Sequence, residues 1–129
     1  MQQTIEQLTA LTADLYFTSE TDAAWTAHLL DAAQPVAVQL IALSGRPAET
    51  TIEERVWADF SNRIAIIQDW MDEEGKATAL RYQATVDYVN QHLTEVKVYR
   101  LGSIEIDIFV VGLNADCTPI ALATKAVET

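Results

Sequence analysis

The apolar positions change period along the chain, and each change marks an element. Ile5, Leu8, Leu11 or Thr12, and Leu15 recur at helical spacing, so residues 4–15 read as an amphipathic helix capped by Thr4. Tyr16 to Asp22 mixes apolar anchors with turn-forming polar residues and reads as a segment that returns the chain to the fold. Trp25, Ala27 and Leu29 alternate with Thr26 and His28, which favours a strand over 24–31, although Ser19, Thr21 and Asp22 offer caps for a helix. Pro35 suits the first turn of a helix over 36–43 that ends near Ser44-Gly45. Residues 45–51 read as a loop, 52–57 as a strand and 59–63 as a short helix.

The second half is more regular. Asp72, Glu73 and Glu74 open the longest predicted helix, about 72–92, where acids favour the positive end of the macrodipole. Ala79, Tyr82, Val86, Val89 and Leu93 form its single apolar stripe. Val96–Leu101 and Ile104–Val111 read as strands joined through Gly102-Ser103, and residues 120–127 as a last strand. On the second of these strands Ile104, Ile106, Ile108 and Val110 share one face. Glu105, Asp107, Phe109 and Val111 share the other, a half-polar face suited to partial cover by a helix. Helices combined with a mostly antiparallel sheet define a layered α+β protein.

A chain of 129 residues fits one domain spanning 1–129 with a real core. Its 19 acids and 8 bases give a formal net charge of −11, and no Lys or Arg precedes Arg46. Asp69, Asp72, Glu73 and Glu74 cluster around Trp70. Such a surface repels nucleic acid and attracts basic partners, although solubility alone also explains an acidic composition. The lone Cys117 cannot form an internal disulfide. The first residues lack a signal-peptide pattern, and no apolar run approaches a membrane span, so the expected location is cytoplasmic.

Three blocks carry a resemblance. They are Val98 to Thr129, then Gln68-Asp69-Trp70-Met71-Asp72-Glu73-Glu74, and more weakly Leu15-Tyr16-Phe17-Thr18-Ser19-Glu20. In this order and spacing the chain resembles the nuclease A inhibitor family along nearly its whole length, with residues 31–60 only loosely similar. The resemblance implies a three-layer α/β/α sandwich related to the pathogenesis-related-protein-1-like fold, and it too places a strand near 24–31. It implies a protein that occludes the active site of a sugar-non-specific, magnesium-dependent ββα-metal nuclease. It carries three partner-binding residues to this chain: Glu20 against active-site arginines, Trp70 at the interface, and Thr129 near the partner's magnesium. The implied complex is one-to-one with a monomer, with no metal or cofactor of its own, no direct nucleic-acid binding and no membrane.

The chemistry of these residues suits a phosphate-binding cleft. A carboxylate can accept paired donors from Arg, and a terminal Thr offers the oxygen ligands that magnesium prefers. Trp is a frequent interface anchor and stacks on guanidinium groups. Each residue also has a plainer reading: Glu20 as a solvated loop acid, Trp70 as a buried staple at a helix start, Thr129 as a fraying end. The acids at 72–74 read more simply as helix-dipole partners than as contacts. Glu105 and Asp107, about 7 Å apart on one strand face by strand geometry, read as a solvated face rather than an acid pair for catalysis. His28, His92 and Cys117 lack metal-type spacing, and there is no Gly-rich phosphate loop or nucleophile elbow. Catalytic residues and cofactors are therefore expected to be none. Two alternatives stand beside the inhibitor: the same scaffold with another protein partner, and a small-molecule-binding domain with a groove beside the sheet.

Overall fold

In the computed structural model, which describes residues 2–13, 15–18 and 22–128, the chain forms a five-stranded antiparallel sheet with helices on both faces. The elements run α1 (Gln2–Thr12), β1 (Tyr16–Thr18), β2 (Asp22–Ala24), β3 (Thr26–Leu29), α2 (Val36–Ser44), β4 (Ile52–Val56), α3 (Trp57–Ala65), α4 (Glu73–His92), β5 (Thr94–Leu101), β6 (Glu105–Leu113) and β7 (Pro119–Val127). The strand order is β3-β7-β6-β5-β4, and β1 and β2 pair as a separate two-stranded sheet. This is an α+β fold, as the periodicity predicts.

Side-chain alternation splits the core between the two faces of the sheet. Ile106, Ile108 and Val110 of β6 join Ile120, Leu122 and Ala126 of β7 beneath α1, α3 and α4, represented by Leu8, Phe60, Tyr82 and Val89. Phe109 and Val111 of β6 and Ala121 of β7 point the other way, toward Leu40 of α2. The half-polar face of β6 is thus covered by a helix. Both clusters meet in β6, whose residues 106–111 are all buried.

Several local features explain the boundaries. Gly45 closes α2 in the left-handed conformation (φ 72°), with its N–H donating to the carbonyls of Ile41 and Ala42. Gly102 takes φ 102°, and a Cβ there would fall 2.4 Å from the Glu105 carbonyl oxygen and 2.7 Å from the Arg46 guanidinium. Helix α1 stops at Thr12 rather than at residue 15. The Thr12 hydroxyl donates back to the Leu8 carbonyl, and the Arg81 guanidinium takes the carbonyls of Leu11 and Ala13. Leu15 is still buried, but it arrives after a turn in which its N–H donates to Thr12. The segment from Tyr16 is not only a turn: Tyr16–Thr18 pairs with Asp22–Ala24. On α4 the buried stripe takes in Thr85, and Val86 is half-buried.

Glu105 is exposed, as a solvated face requires, but Asp107 needs a correction. Asp107 is 6% exposed, and its carboxylate accepts a 2.7 Å bond from Nε of Arg46. The same guanidinium reaches the Glu105 carbonyl oxygen. The loop after α2 folds over this end of β6 and supplies the counter-charge, so Asp107 is not part of a solvated face.

Candidate functional site

The stretch between α3 and α4 builds the most exposed aromatic feature of the described chain. The Met71 N–H donates to the Gln68 carbonyl at 3.1 Å, closing a turn with Asp69 and Trp70 at its centre. Asp72 caps α4, its carboxylate accepting from the Gly75 N–H at 2.7 Å, and Glu73 and Glu74 occupy the first helical turn. The acids at 72–74 therefore have structural work at the helix start, and all three remain exposed.

Trp70 is 79% exposed and makes no hydrogen bond or ring contact among the described residues. It is not a buried staple. The other two tryptophans are tied down: Trp25 donates to the Tyr82 hydroxyl and Trp57 to the Asn90 side-chain oxygen. A turn closed by backbone and an adjacent capped helix hold Trp70 outward in the middle of the acids Asp69, Asp72, Glu73 and Glu74.

Behind Trp70 lies a cavity of about 960 Å³ between the β1 strand, the α3–α4 connection and α4. Tyr16, Phe17, Ile64, Ile66 and Tyr82 supply its apolar lining, and Asp72 and Glu74 stand on the Trp70 side. Arg63, Arg100, Glu128 and, from α4, Thr78 are also part of the lining. The site therefore joins three segments far apart in sequence: the first strand, the acidic turn and the end of the last strand.

Tyr82 holds the first of these in place. Its hydroxyl accepts from Trp25 Nε1 at 3.1 Å and donates to the Tyr16 carbonyl at 2.8 Å. Burial pushes this phenol above its ordinary value of 10.0, partly opposed by the Trp25 bond and the Arg81 charge, so it keeps the proton it donates at neutral pH. Phe17 packs edge-on to Trp25 and stacks on Phe60. The Thr124 hydroxyl reaches the carbonyls of Ala23 and Ala24 and fastens β2 to β7.

The last strand is anchored up to Glu128. Its N–H donates to the Ile104 carbonyl at 2.9 Å, and its carboxylate pairs with Arg100. Of the three residues singled out in the sequence, Trp70 is on the rim of the cavity. Glu20 and Thr129 lie outside the described residues. Glu20 belongs to the connection between the paired residues Thr18 and Asp22, and Thr129 follows Glu128, which lines the same cavity as Trp70. Tyr82, Arg63, Arg100 and Glu128 were not recognisable as site residues. Tyr82 registers in the sequence as one more member of the α4 stripe, and the others gain their place only from tertiary contacts.

Among the described residues no cluster of three or more His, Cys, Asp or Glu is arranged to hold a metal ion, and no helix is long and apolar enough to cross a membrane. Fold and site together define an acidic α+β protein with an exposed aromatic anchor beside an apolar groove. The model of the nuclease A inhibitor-like protein family matches residues 2–129, and the chain belongs to that family. No curated protein compared with the chain matches it.

Proposed function

We propose that the protein inhibits a sugar-non-specific, magnesium-dependent nuclease of the ββα-metal type by stoichiometric occlusion of its active site. The observation that carries this reading is Trp70, 79% exposed among acids on a hydrogen-bonded turn in a chain of the nuclease A inhibitor-like family. An exposed indole with no hydrogen-bond or ring partner among the described residues contributes little to folding, but it is the kind of side chain that dominates interfaces. The surrounding acids match a cleft built to attract phosphates.

In this mechanism Glu20 pairs with arginines of the nuclease through charge-assisted hydrogen bonds. Thr129 brings oxygen ligands toward the partner's magnesium, directly or through water. Support for the second role comes from the preceding residue, since Glu128 is fixed through both its backbone and its side chain. The inhibitor escapes cleavage because it presents no phosphodiester.

The test is titration of a sugar-non-specific ββα-metal endonuclease with the full chain, following hydrolysis of DNA and RNA. One equivalent should abolish both activities, and added salt should weaken the complex mainly by slowing association. Trp70→Ala and Glu20→Ala should each cost about 2 kcal/mol of binding or more. Full hydrolysis in the presence of excess protein would exclude the reading. Unchanged inhibition after deletion of Thr129 would remove the metal contact and leave the inhibitor role standing.

A further inference from the structure

The groove behind Trp70 has a use that simple plugging leaves open. We propose that it receives an apolar side chain from a basic segment of the nuclease, so that the two proteins interlock. This rests on the inhibitor reading above. A convex plug needs only its knobs, whereas here the exposed indole is one wall of a cavity of about 960 Å³. Tyr16 and Ile66 are half-exposed on the lining, and Phe17, Ile64 and Tyr82 lie deeper. An apolar surface of this kind gains by being covered.

Charge selects the occupant. Arg100 is neutralised by Glu128, which leaves Arg63 against Asp72 and Glu74 on the lining. Asp69 and Glu73 add two exposed acids beside the same rim. An anionic guest is therefore disfavoured, and an apolar side chain flanked by Arg or Lys fits both floor and rim. The cation would face the acids while the apolar group displaces water from the aromatic lining.

Thr78 lines the groove from α4 and is half-buried, so Thr78→Trp puts bulk into the space. Ile66→Ser removes apolar surface from the lining. Binding of the wild type and both variants to the magnesium-loaded endonuclease should be measured by surface kinetics, with thermal melts to verify folding. Each variant should weaken the complex at least about tenfold, chiefly through faster dissociation. A wild-type complex that Thr78→Trp and Ile66→Ser leave unchanged would overturn the groove's role alone. No complex with the wild type would overturn the inhibitor reading along with it. Tight binding of the neutral dye Nile red that the nuclease fails to displace would overturn the interlock in favour of a small-molecule site.

Discussion

Trp25 is 7% exposed and Trp70 is 79% exposed, and the difference separates what folds this protein from what it presents. Trp25 packs edge-on against Phe17 and Tyr82 and spends its indole N–H on the Tyr82 hydroxyl. Its burial is repaid by apolar contact and a satisfied donor. Trp70 is mostly exposed and its indole N–H has no partner among the described residues; it lies within the Gln68–Met71 turn and precedes the Asp72 cap. The same residue type therefore reports on the core in one place and on a partner in the other.

The largest effect expected is on Trp25. Trp25→Ala should lower stability by about 3–5 kcal/mol, because it opens a cavity and strips the Tyr82 hydroxyl of its donor. Trp70→Ala should change stability by no more than about 0.5 kcal/mol. Urea melts of the two variants check the comparison directly. A large loss from Trp70→Ala would mean that the indole is part of the folding core.

Acids show the same division. Asp107 is buried against Arg46, whereas Asp69 is exposed beside Trp70. Asp107→Asn should cost about 1–2 kcal/mol by replacing a charge-assisted bond to the partly exposed Arg46 guanidinium with a neutral one, and Asp69→Asn should cost almost nothing. Denaturation midpoints of the pair would decide whether charge or position makes the difference.

These contrasts also explain what could be read in the sequence. Helix α4 and strands β5–β7 were legible because long apolar periods settle both the element and its inward face. Asp107 misled because alternation along β6 cannot show that Arg46, 61 residues away, closes over it. The end of α1 misled for a similar reason, since Arg81 takes its last carbonyls from across the fold. Trp70 could be located but not judged exposed, because an indole before a helix suits burial equally well. Its groove was invisible, since it is assembled from β1, the α3–α4 connection, α4 and the end of the chain. Glu20 and Thr129 are expected only through the family resemblance, and both lie outside the described residues.

Tyr82 lies between the two regimes. It is buried, yet it fixes the Tyr16 carbonyl at the base of the β1–β2 pair and lines the groove. Tyr82→Phe keeps the ring and removes both hydrogen bonds, so it should cost about 1–2 kcal/mol. Amide exchange should accelerate in β1 and β2 more than in β6, whose hydrogen bonds lie at the centre of the sheet. Uniform acceleration would show that the hydroxyl serves the whole core rather than this hairpin.

The smallest effect expected is at His28, which is neither core nor fully exposed. It sits on the edge strand β3 with its Nε2 2.8 Å from the Thr26 hydroxyl oxygen. Burial lowers its pKa below the ordinary 6.5, because the charged ring would lose hydration. The unfolded chain consequently takes up this proton first as pH falls. The stability His28 contributes is complete above about 6.5 and is lost as pH falls through the depressed folded value, after which the difference is constant. His28→Gln should therefore flatten the part of the stability curve that falls between pH 7.5 and 5.5, measured by urea denaturation at fixed ionic strength. A wild-type curve that rises over that interval relative to the variant would mean that a nearby acid, and not burial, governs the ring.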